Sequence, residues 1–122
     1  MKEAARLYGN VAKQISSPRD LEANLLLEAA AKLQAVRDDW SGKRDNLDTA
    51  LRYNRRLWSV FLSSVTDNGS PLPKEIRQNV ANLGIFVMKH TIKTEANPQA
   101  DKLDVLIRIN RELAAGLRAI AP

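Results

Sequence analysis

The run ALRYNRRLWSVFLSSV at residues 50–65 constrains the fold more than any other stretch, because it presents one continuous apolar face only if it is an α-helix. Leu47, Ala50, Leu51, Asn54, Trp58, Phe61, Leu62 and Val65 recur at the three- and four-residue spacing that stacks side chains on one side of a helix. Arg52, Arg56, Ser59 and Ser63 fall on the other side. Asn54 interrupts the apolar stripe. A buried side-chain amide without partners costs about 1–3 kcal/mol, so this residue must be bonded, functional, or both.

The rest of the chain supplies helices to pack against this one. A short N-terminal helix is expected over 3–16, with Ala4, Leu7, Tyr8, Val11 and Ile15 on one face and Gly9 and Asn10 weakening its middle. Ser17-Pro18-Arg19-Asp20 then reads as a helix start, with a capping serine, a proline at the first helical position and an acid three residues after the cap. The helix that follows is expected over 18–40, with Leu25, Leu26, Ala29, Leu33, Val36 and Trp40 inward and Leu27 on the far side. Asp45 or Asn46 can cap the organising helix, and the turn chemistry from Thr66 to Pro71 ends it.

Pro73 opens a helix expected over 73–94, with Ile76, Val80, Leu83 and Val87 inward and Gly84 permitting a close neighbour. Asn97-Pro98 repeats the cap-plus-proline signal before a last helix over 97–119, where Asn110 again sits inside an apolar stripe. The stretches Leu51 to Leu57 and Ile107 to Leu113 share the pattern apolar-Arg-x-Asn-Arg-x-Leu, which similar packing roles explain without a repeat architecture. No strand-like alternation of useful length is present. The expected fold is all-α, a single domain over residues 1–122 built as a bundle of four long helices plus a looser N-terminal one.

With 122 residues, no cysteine and one histidine, the chain has little to catalyse with and is read as non-enzymatic. No metal or cofactor is expected, since His90 stands alone and the glycines form no phosphate-binding loop. The N-terminus carries Glu3 and Arg6 where a secretory signal would begin its apolar region, so a cytoplasmic protein without membrane insertion is expected. The net charge of +5 is spread over every segment, which fits a solvated basic surface better than a nucleic-acid footprint. Arg52, Arg55 and Arg56 beside Tyr53 are the one patch that could meet RNA.

The helix over 73–94 is apolar on two sides, because Ala81, Ile85, Met88 and Ile92 line up almost opposite its inner face. Other helices of the chain cover this second face, or it forms a groove for an amphipathic helix from a partner, for which an adaptable methionine is suited. The N-terminal helix is the segment expected to cover it in part. Tyr53, Arg56, Ile85, Met88 and Ile92 are the candidate partner-binding residues, and Asn54 and Asn110 the candidate structural polar groups, both expected to be buried and bonded.

Ser17-Pro18-Arg19-Asp20-Leu21-Glu22, the run Ala50 to Trp58 (ALRYNRRLW), Pro71-Leu72-Pro73, the run Asn82 to Val87 (NLGIFV), and Ile109 to Leu117 (INRELAAGL) form a set of distinctive stretches. Taken together they resemble the FlaF family of flagellar biosynthesis regulators. The resemblance extends from about Tyr8 to Leu117. It implies a non-enzymatic cytoplasmic protein that binds flagellin as a chaperone-like factor and promotes its synthesis and secretion, in balance with FlbT. The alternative it leaves open is a post-transcriptional regulator that acts on flagellin mRNA directly or through FlbT.

Overall fold

A computed structural model describes residues 18–40, 44–67 and 69–120. Four α-helices follow one another: α1 (Pro18–Asp38), α2 (Arg44–Thr66), α3 (Lys74–Ala96) and, after a 3-10 turn at Ala100–Lys102, α4 (Leu103–Ile120). No strand occurs among the described residues, and the fold is all-α. The helix expected over 3–16 and the Ser17 cap lie outside the described residues.

α1 opens on Pro18, whose missing N–H costs nothing in a first turn, with Asp20 near the positive end of the helix dipole and Arg37 near the negative end. Its buried face is narrow-bodied: Ala23, Ala29 and Ala30 between Leu26 and Leu33. Small side chains let α4 lie close along it. Three polar contacts stitch the two helices in antiparallel register: Arg118 to Asn24, Arg111 to Gln34, and Arg37 to Asp104. Asp104 therefore reaches across to α1.

α2 is the central element. It packs against α1 on one side and α3 on the other, and its predicted stripe is buried from Leu47 to Val65, with only Leu62 partly open. Trp58 is fully buried and meets Phe61 edge to face, with ring centroids 6.0 Å apart. The turn after α2 is local chemistry: Asp67 accepts the amide of Gly69 through its side chain and that of Ser70 through its carbonyl, both at 3.0 Å. α3 then folds back antiparallel on α2, with Arg55 of α2 paired to Glu95 of α3 at 3.1 Å. α3 touches α4 sparsely, and His90 Nε2–H donates to the carbonyl of Lys102, in the 3-10 turn that precedes α4, at 2.6 Å.

Four sequence expectations need correction. The last α-helix begins at Leu103 and not at Asn97-Pro98, because Asn97 serves the preceding helix: it is the C-cap of α3, its N–H bonded to the carbonyl of Lys93. Trp40 lies beyond the end of α1 and is exposed, so extrapolating the helical period past Asp38 placed it wrongly. Leu27 packs on the core, since α1 is covered by both α2 and α4 and its buried arc is wider than one stripe. Asp45 sits in the first turn of α2, which has already started at Arg44, and so does not cap it.

Gly84 marks a close approach of α3 to α2. A Cβ built there would lie 2.4–2.7 Å from three atoms of the Leu62 side chain, including its branch point. Gly84→Ala gains roughly 1 kcal/mol of helix propensity but must displace Leu62, at a typical overpacking cost of about 1–3 kcal/mol. Net destabilisation is expected. In Leu62→Ala the space is already free, so adding Gly84→Ala there is expected to be neutral or stabilising, which a double-mutant cycle in urea measures directly.

Candidate functional site

Two places in this bundle carry more than ordinary packing. The first is a buried polar chain between α2 and α4. Trp58 Nε1–H donates to Asn110 Oδ1 at 2.9 Å, and Asn110 Nδ2–H donates to Asn54 Oδ1 at 2.7 Å. All three side chains have no exposed surface. The bonded asparagines explain the two similar sequence stretches: each presents its polar residue to the other at one crossing. Asn54 Nδ2 stays buried without a partner, so the chain of bonds is satisfied at one end only.

The second is the outer side of α3. The inner side buries Val80, Gly84, Val87, Thr91 and Thr94, the two threonines returning their hydroxyls to carbonyls one turn back, Val87 and His90. On the opposite side Ile85 is 55% exposed and Ile92 is 64% exposed, two turns apart on one line. Met88 sits at the edge of this line, half-buried against the core. Phe86 is also exposed and stacks on His90, with ring centroids 5.5 Å apart. Sequence reasoning did not place Phe86 here, because its position lies about 100° round the helix from Ile85 and so falls off a strict stripe.

The other candidate residues separate. Arg56 is exposed on α2, whereas Tyr53 turns toward α1, with the Lys32 ammonium 5.0 Å from its ring centre and Glu28 bonded to its hydroxyl. Burial first, then the charge and hydrogen bond of Glu28, push the Tyr53 hydroxyl up to about 12. Tyrosine ionises near pH ~10 in an unfolded chain, so the native state holds its proton more tightly and this stabilisation is lost as pH rises from about 10 towards 12. Denaturation midpoints at pH ~9 and ~11 should accordingly fall further in the wild type than in Tyr53→Phe.

His90 is occupied by Lys102 and Phe86, and among the described residues no group of three His, Cys, Asp or Glu side chains could hold a metal ion. A shallow cleft of about 270 Å³ lies between α1 and α4, but Arg37, Asp104, Gln34 and Arg111, which line it, are the residues that stitch those helices together. No described helix is long and apolar enough to cross a membrane.

Neither a curated protein nor a solved structure matches the chain. The family model of the flagellar protein FlaF does, over residues 4–117, which includes both the asparagine pair and the outer side of α3, and the chain belongs to the FlaF family of flagellar proteins.

Proposed function

We propose that this FlaF-family protein is a non-enzymatic, cytoplasmic factor that binds flagellin in a chaperone-like manner and promotes its synthesis and secretion, in balance with FlbT. The observation behind this reading is the outer side of α3, where Ile85 and Ile92 stand exposed on one line of the helix. An amphipathic helix laid along this side would bury those side chains, each worth about 1.5–3 kcal/mol when fully removed from water. Flagellin ends are long amphipathic helices that need such cover before assembly. Action on flagellin mRNA draws on Arg52, Arg55 and Arg56, but Arg55 is engaged by Glu95 and Tyr53 faces α1, which leaves two exposed guanidiniums without an aromatic platform.

Calorimetric titration of the full chain with its cognate flagellin tests this. Binding at about 10 μM or tighter is expected. Absence of binding at that concentration, with a salt-sensitive shift of the flagellin leader RNA by the protein alone, would put the regulator of mRNA in its place.

A further inference from the structure

Building on that reading of the outer side of α3, we infer that the helix it holds is acidic along both edges of its apolar stripe. The apolar line through Ile85 and Ile92 has a basic border on each side. On α3 itself Lys89 and Lys93, one turn apart and both exposed, follow Ile85 and Phe86 on the outer surface. The other border belongs to α2. Leu62 lies beneath Gly84 and Arg55 is paired with Glu95, and these two contacts fix the antiparallel register of α2 and α3. In that register Arg56, exposed, comes level with Ile92, with Arg52 one turn further along. The carboxylate nearest this end of the line, Glu95, is held by Arg55, and Glu75 is exposed in the first turn of α3, more than two turns before Ile85.

Charge also separates the possible occupants. Residues 1–17 carry Lys2, Arg6 and Lys13 against a single acid, Glu3, the wrong sign for a face with basic borders. A second copy of the chain would set two such faces against each other, with Lys89 and Arg56 confronting like charges. A partner helix with Glu or Asp flanking its apolar positions meets cations on both sides, and that complementarity sets orientation and encounter rate as well as affinity.

The full chain is titrated, by fluorescence anisotropy, with two synthetic helices that share one leucine stripe and differ only in having glutamate or lysine at the flanking positions. The glutamate helix is expected to bind about tenfold or more tighter than the lysine helix, the gap is expected to narrow with added salt, and the exposed double variant R56E/K89E is expected to reverse the order. Equal affinity for the two helices, no binding of either, or an unchanged order in R56E/K89E would overturn the inference. So would self-association abolished by Ile85→Asp, which would make a second copy the occupant. A glutamate helix that binds where flagellin does not upholds the acidic edges and removes flagellin as the partner. Flagellin that binds wild type and R56E/K89E alike, regardless of salt, overturns the acidic edges and leaves flagellin in place.

Discussion

Trp58→Ala is expected to be the most damaging single substitution in the described fold, costing at least about 3–5 kcal/mol for the lost volume alone. Trp58 is the largest fully buried side chain, on the central helix, and its removal opens a cavity between α2 and α4. It also strips Asn110 Oδ1 of its donor inside the core, which adds about 1–3 kcal/mol. A domain of this size is stable by roughly 5–15 kcal/mol, so the variant is expected to lose its cooperative transition or to melt far below the wild type. Trp58→Phe separates the two causes, because it keeps most of the ring and loses only the indole N–H. Intermediate urea stability for Trp58→Phe is the expected result.

Asn110→Ala is expected to cost about 2–5 kcal/mol, more than Asn54→Ala at about 1–2 kcal/mol, although the two residues are equally buried and chemically identical. The difference lies in their places in the bond chain. Asn110 accepts from Trp58 and donates to Asn54, so its loss leaves an indole N–H and an amide oxygen unpaired at once. Asn54 makes the one bond to Asn110, and its own Nδ2 is already orphaned, so truncating it removes one buried penalty while creating another. Chemical denaturation of the two single variants gives the order directly. The reverse order, with Asn54→Ala the costlier, would contradict this account of the bond chain.

The α2 stripe was legible because every rule agreed there: periodicity, a polar outer face and turn residues at the end. The paired asparagines were legible as buried polar groups from their position in two apolar stripes, but their bond to each other was not, since periodicity describes one helix at a time. The same limit explains Leu27 and Trp40. How wide an arc a helix buries depends on how many neighbours it has, and α1 has two. Asn97-Pro98 misled because a helix end and a helix start use the same residue types, and here the asparagine closes α3. On α3 the two-sided apolar pattern did foretell an unusual helix, yet whether Ile85 and Ile92 are covered is a question of where α2 and α4 lie. They lie on the inner side, so that among the described residues α3 is peripheral and its outer line exposed.

The partner face is tested most directly by calorimetric titration of cognate flagellin into the wild-type protein and into Ile85→Asp, with a thermal melt of each. Ile85 is more than half exposed, so the variant should stay folded and melt cooperatively within about 1 kcal/mol of wild type. A carboxylate in the middle of the apolar line must be desolvated beneath a bound helix, so affinity should fall by about a hundredfold or beyond detection. Undiminished binding by a folded Ile85→Asp protein would contradict the assignment of this face. Loss of the cooperative melt would show that Ile85 belongs to the core.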